Sequence, residues 1–151
     1  MTIMRISRDD YEIDDDDSRL DVGAIHAFLS RDAYWSAGIP RETVSMSIAG
    51  SLNFGLYHHG AQVGLTRAVT DKATFAWLTD VYVLPEHRGH GLGHWLVRTA
   101  LDHPDLQALT RILLATTDAH QVYADCGFVP LTETERWMTI AVPAAERYRA
   151  H

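Results

Sequence analysis

Cysteine is nearly absent: Cys126 stands alone in 151 residues, so no internal disulfide can form. That points to a reducing, cytoplasmic setting. Lysine is as scarce, with Lys72 set against twelve arginines, a compositional bias that says little about chemistry. No apolar run approaches the ~18 residues of a membrane span, so no membrane partner is expected. The opening stretch MTIMRISRDDYEIDDDD has no apolar core of the kind a secretory signal needs. Basic clusters are missing too. A duplex nucleic-acid binder needs a cationic face to release counterions, so no nucleic-acid partner is expected.

Acid, in contrast, is plentiful at one end. Residues 1–21 carry eight acids and three bases, while the remainder of a chain of net charge −7 holds only −2. The run Asp14–Asp17 reads as a solvated loop, with attraction of a cationic substrate or partner as the functional alternative. Hydrophobic residues at 46% and charged residues at 22% fit one soluble globular domain. The division expected is an acidic segment over 1–20 (first strand and loop), a catalytic domain over 21–142 and a tail over 143–151.

The apolar pattern supplies the elements. Ile3–Ile6 reads as a short first strand. Asp21 can cap a helix running to about Ala33, with Val22, Ile25 and Leu29 on one stripe. Pro40 suits the first turn of a second helix. Leu52, Phe54 and Leu56 alternate as in a strand, His58-His59-Gly60 reads as a turn, and Val63 and Leu65 open the next strand. Thr74–Leu84 is a long β-branched and aromatic strand stopped by Pro85. A helix follows from Leu92, with Trp95, Leu96, Thr99 and Ala100 on one side. Arg111–Thr116 reads as a buried strand, Ala119–Cys126 as a helix closed by Gly127, and Phe128–Leu131 and Arg136–Ala141 as two further strands. The fold class is α/β, a mixed sheet with helices on its faces.

The most informative stretch is DVYVLPEHRGHGLGHWL, residues 80–96. It places a strand, a turn with three glycines and an amphipathic helix in succession. Glycines let a ligand approach the backbone. The first helical turn leaves N–H groups free and favours negative charge. Such a unit can cradle a diphosphate, and Arg88 adds a cation. A P-loop needs G-K-[S/T], but His94 follows Gly93; a dinucleotide fingerprint needs G-x-G-x-x-G, but these glycines follow G-x-G-x-G. His87, His90 and His94 suggest a metal, yet no carboxylate or cysteine completes a ligand set, so none is expected.

What does fit is R-x-x-G-x-G, Arg88 to Gly93, after a strand with D-V-Y-V-x-P. Downstream lies A-x-x-x-Y-x-x-x-G-F, formed by Ala119, Tyr123, Gly127 and Phe128. With both motifs in this order, the chain resembles the GNAT superfamily of acetyl-CoA-dependent N-acetyltransferases over roughly residues 20–141. The resemblance implies a single-domain GNAT-like fold with a central, mostly antiparallel sheet splayed at the acetyl-CoA site and about four flanking helices. It implies that Val81, Tyr82 and Val83 offer backbone groups to pantetheine. Arg88, Gly89, His90, Gly91, Leu92, Gly93 and His94 would wrap the pyrophosphate, and Thr116 and Ala119 would line the far side of the opening. Tyr123 would act as acid toward the leaving thiolate.

The chain departs from the family at two places. Many members carry a glutamate base where this chain has Thr79, which leaves Asp80 or a water relay as candidate base. Thr116 replaces a frequent asparagine. Tyr34, Trp35 and Trp77 are candidate walls for the acceptor, where an ammonium group can rest on aromatic faces. The expected reaction is direct acetyl transfer from acetyl-CoA to a primary amine, small molecule rather than protein, with no metal. Cys126 reads as a buried hydrophobe rather than a nucleophile. The acyl group can be longer than acetyl, and a homodimer is compatible with the pattern. The alternatives are a non-catalytic acyl-CoA-binding module on the same fold and an interaction factor whose acidic N-terminus is the working part.

Overall fold

The structure, a computed structural model, describes residues 3–149. In chain order it contains β1 (Arg5–Arg8), β2 (Tyr11–Asp14), α1 (Val22–Arg31), α2 (Arg41–Ala49), β3 (Leu52–His58), β4 (Ala61–Thr70), β5 (Phe75–Val83), α3 (Leu92–Leu101), β6 (Arg111–Leu113), α4 (His120–Asp125) and the short α5 (Ala144–Arg147). The six strands form one sheet in sequence order. The first five are antiparallel to their neighbours, and β6 joins β5 in parallel. Tight turns explain the antiparallel part. His59 and Gly60 form a two-residue loop between β3 and β4, both with positive φ (49° and 84°), the geometry that matches strand twist. The parallel pair needs a crossover, and α3 lies within it.

Each sheet face is covered by a different helical layer. On one side Ile25, Phe28 and Leu29 of α1 and Val44 and Ile48 of α2 pack on Leu65 and Tyr82. On the other, Leu92, Trp95, Leu96 and Ala100 of α3 pack on Phe54, Leu56, Val63 and Val83. Burial of each such large side chain is worth about 1.5–3 kcal/mol. Asp21 caps α1 as its sequence position suggests, its side chain accepting from the Ala24 N–H. Among the described residues no helix is long and apolar enough to cross a membrane.

The acidic N-terminal segment differs from the sequence expectation. The first strand begins at Arg5 rather than Ile3, and a second strand, Tyr11–Asp14, lies where a loop was expected. The aspartates are not solvated as a group. Asp14 is buried and paired with Arg19 at 2.7 Å and Arg5 at 3.3 Å. Asp15 contacts His103 Nε2 at 2.8 Å and accepts from the Met4 N–H. Asp16 caps a 3-10 turn, and Asp17 accepts from Asn53. Arg19 also bridges to Glu12. Asp14 and Asp15 serve as internal acceptors that tie the N-terminal segment to Arg19 and to the loop after α3, while Asp17 stays exposed.

The other differences lie at the C-terminal end. Among the described residues there are five helices, counting the one-turn α5, in keeping with the about four expected. β6 stops at Leu113 rather than Thr116. Phe128–Leu131 and Arg136–Ala141 form no strands. Pro130 removes a ladder donor from the first. Glu133, with φ 55°, and the turn Thr134–Arg136 interrupt the chain before the second. The expected tail holds α5 and Tyr148, which packs on the α1–α2 cluster.

Candidate active site

Pairing between β5 and β6 ends at Trp77 opposite Leu113, while β5 continues to Val83. The two strands therefore part, as the resemblance implied. The gap opens into a cavity of about 330 Å³ bounded by Tyr34, Trp35, Trp77, Thr79, Asp80, Val81, Thr116, Ala119 and Tyr123, among others. Sequence-identified residues from four separate segments thus share one space.

A bulge places Asp80 in that cavity. Leu65 pairs with Tyr82 and Arg67 with Thr79, so Thr66 alone faces both Asp80 and Val81. Asp80 takes φ 52°, a positive value uncommon for a residue other than glycine. The inserted residue changes the strand's parity. Ala76 and Leu78 pack on the α3 side, and so do Val81 and Val83, three rather than two residues on. Tyr82 falls to the opposite face, where its ring stacks on Phe28 at 3.9 Å. Burial raises the Tyr82 phenol. Its ring packs in the core cluster beneath α1 and α2, and its backbone lies on the β5 edge that the resemblance assigns to pantetheine.

The Asp80 carboxylate is 8% exposed and held from two sides. Trp35 Nε1 donates to one oxygen at 2.8 Å, and Arg67 Nε donates to the other at 2.9 Å. Arg67 in turn donates to Ser51 Oγ at 2.8 Å. Arg67 was not singled out from sequence. The signal was a lone cation within the apolar alternation of Val63, Leu65 and Val69.

On the opposite arm, Tyr123 sits in α4 with its ring edge-on to Phe128. Burial pushes its phenol up to about 12, helped by Tyr34, Cys126 and Asp118, so at neutral pH it keeps its proton and can donate. Thr116 Oγ1 accepts from the Ala119 N–H at 3.1 Å, which shapes the loop into α4 at the border of the cavity. Burial raises the Cys126 thiol, which keeps it protonated and a poor nucleophile. Tyr34 accepts from Thr117 Oγ1 at 2.7 Å. The loop carrying Tyr34 and Trp35 therefore touches β5 through one ring and the β6–α4 connection through the other.

The glycine turn runs from β5 into α3. Gly89 and Gly91 have φ of 86° and 72°, and a Cβ on either would project into open space. Trp95 is the first helical N–H to donate, to Gly91 O at 3.1 Å, which leaves Leu92, Gly93 and His94 with the open N–H groups of the first turn. Arg88 donates through Nε to Val83 O at 2.8 Å and through its main-chain N–H to Pro85 O. Its backbone is thus committed to the turn, and its Nη groups carry the charge forward. His94 contacts Asp125 at 3.0 Å and ties α3 to α4. Elsewhere, at the hairpin tips, Asp10, His58 and His59 offer ligand atoms within 4.8 Å of one another, a grouping the sequence reading did not make.

A family model for the acetyltransferase (GNAT) family matches residues 3–128. The chain belongs to that family. It is 37% identical over 139 residues to FG08082 of Gibberella zeae, described as a candidate acetyltransferase, across 78% of this chain and 77% of that one. A crystal structure of a GNAT protein from Xanthomonas campestris pv. campestris superposes with TM-score 0.88 at 44% identity, covering 91% of this chain and 97% of the other. The fold also matches an acetyltransferase of Clostridium acetobutylicum solved with acetyl-CoA, with TM-score 0.63 at 14% identity over 87% and 94% of the two chains. Thr79 and, through the bulge, the next residue Asp80 both border the opening between β5 and β6.

Proposed function

We propose that this GNAT chain moves an acetyl group from acetyl-CoA directly to a primary amine of a small molecule in the cytoplasm. The observation that carries this reading is the cavity at the splay, which has a carboxylate on one wall and a protonated phenol on the other. The fit to acetyl-CoA rests on this chain's geometry. The β5 edge beyond Trp77 lacks a β6 partner and can take an extended pantetheine arm by strand addition. The turn Gly89–His94 presents open N–H groups where a Cβ would meet nothing. Bound there, acetyl-CoA supplies the thioester carbon that the amine attacks.

Each residue then has a task. Asp80 accepts the ammonium proton, directly or through one water, because only a neutral amine has the lone pair to attack. Trp35 and Arg67 fix its orientation. Backbone N–H groups of β5 polarise the thioester carbonyl. Tyr123 donates its proton toward the departing sulfur. Tyr34, Trp35 and Trp77 form an aromatic wall on which a cationic acceptor rests before deprotonation. The cavity of about 330 Å³ is at the small end for ligand pockets, which favours a small amine as acceptor.

Two results test this. Acetyl-CoA at millimolar concentration is expected to raise the melting temperature, since a ligand at 100 times its Kd adds about 2.7 kcal/mol, and a thiol-release assay across an amine panel should find an acceptor. No melting shift would remove the proposed cosubstrate; a shift with no turnover on any amine would favour the non-catalytic acyl-CoA module. Tyr123→Phe should lower kcat by about tenfold while leaving the KM for acetyl-CoA nearly unchanged. The effect falls below the usual 10²-fold because a thiolate already leaves fairly well. Wild-type turnover in both Tyr123→Phe and Tyr123→Ala would reduce the residue to packing.

A further inference from the structure

The β1–β2 and β3–β4 turns lie side by side at one end of the sheet. Tyr11 pairs with His58 in the antiparallel ladder between β2 and β3. Asp10, just before one strand, therefore comes level with His59, just after the other. The sequence reading found no carboxylate or cysteine beside His87, His90 and His94; the ladder supplies one to His58 and His59 from a different hairpin. Asp10, His58 and His59 offer one ligand atom each, all within 4.8 Å of one another.

The spacing of this group suits an ion better than a direct contact. His59 Nε2 stands 4.0 Å from Asp10 Oδ2, too far for a hydrogen bond. One zinc ion bonded to both, at about 2.0–2.1 Å from nitrogen and about 2.0–2.2 Å from oxygen, spans that gap. His58 is the fixed member. Its ring lies 4.6 Å from that of Tyr11 and 4.9 Å from that of His87, and Tyr11 Oη meets His87 Nδ1 at 2.8 Å, which locks the frame behind it. Such outer contacts orient a ligating imidazole. Burial lowers the His58 imidazole, with His59 and His87 adding to the effect, so near neutral pH its nitrogens are open to a metal. Asp10 and His59 keep 71% and 68% of their side-chain surface in solvent, which gives an ion its way in.

We propose that Asp10, His58 and His59 bind one zinc ion, which clamps the turn of the β1–β2 hairpin to the turn of the β3–β4 hairpin. Two imidazoles and a carboxylate form a ligand set for zinc and its first-row neighbours, not for magnesium or calcium, which take oxygen. Three protein ligands leave a fourth position to water. The place of the clamp follows from what already holds the N-terminal hairpin. Its far end is anchored by Asp14 to Arg19 and by Asp15 to His103. Its turn end is held through Tyr11 and His87, and the ion adds a tie at the tip. None of the three residues lines the acyl-transfer cavity, so the role assigned to the ion is structural.

Calorimetric titration of the metal-stripped full chain with zinc chloride at neutral pH tests the site without any acyl-transfer readout. The expected result is one ion per chain at micromolar affinity or tighter, unchanged by millimolar magnesium. Asp10→Asn and His59→Asn should each weaken zinc binding at least ~10-fold, since even outer contacts at metal sites are worth about 10–100-fold. Asparagine suits the φ of 49° at position 59, and both side chains are exposed. The variants should therefore keep the melting temperature of the zinc-free wild type and lose the rise that zinc gives it. In zinc-soaked crystals an anomalous peak should lie within bonding distance of all three residues. Affinity no tighter than millimolar, binding that survives either variant, or a peak at other residues overturns the proposal.

Discussion

Asp80→Asn is expected to lower kcat/KM for the amine by at least ~10²-fold, the low end for loss of a general base. The amide keeps the size and one acceptor oxygen but cannot take a proton. Only amine that has already lost its proton in solution can then react, so the activity that remains should climb with pH as the free amine deprotonates, more steeply than in the wild type. Because Arg67 would keep a charge with no carboxylate opposite it, a folding control is needed. Trp35→Phe provides a second reading. It removes the indole N–H at 2.8 Å along with part of the ring at the cavity border and should misorient the base while leaving the wild-type pH profile in place. An Asp80→Asn protein that folds, binds acetyl-CoA and keeps both the rate and the pH profile of the wild type would hand deprotonation to waters held by Thr79 and the backbone.

The second large effect concerns the cradle. Gly91→Val is expected to weaken acetyl-CoA binding at least ~10²-fold, measured by calorimetry, because a branched side chain would enter the space where the phosphates approach the N–H groups of α3. Gly91 has φ 72°, so valine there also costs on the order of 1–3 kcal/mol of backbone strain. Gly60→Val separates the two effects. Gly60 has φ 84° and equally open surroundings but lies in the β3–β4 turn. It should show the strain in its melting temperature with acetyl-CoA affinity intact. Wild-type affinity in Gly91→Val would refute the cradle.

Much of this arrangement can be read from residue order. The Gly89–Gly93 turn and the Ala119–Phe128 motif are local, and local chemistry dictates them: positive φ at glycine, an open helix start, a strand stopped by Pro85. The apolar stripes of α1 and α3 are legible for the same reason. What escaped the sequence is non-local. The run Asp14–Asp17 looked like a solvated loop because its partners, Arg19, His103 and Asn53, are scattered along the chain. The bulge at Asp80 depends on its register with Thr66, fixed only once β4 and β5 pair. The contrary error arose at Arg136–Ala141, where the alternation of a strand is present but no ladder forms, the turn Thr134–Arg136 interrupting the chain before it.

The loop that carries Tyr34 and Trp35 has a consequence for how this protein can change. One ring borders the acceptor space and accepts from Thr117; its neighbour, also at that border, donates to Asp80. A substitution at position 35 that reshapes the pocket for a new amine also alters the hydration and tilt of the carboxylate. On the proposed function, divergence toward new acceptors is therefore channelled away from this indole, toward Trp77, which borders the same cavity but does not hold the carboxylate.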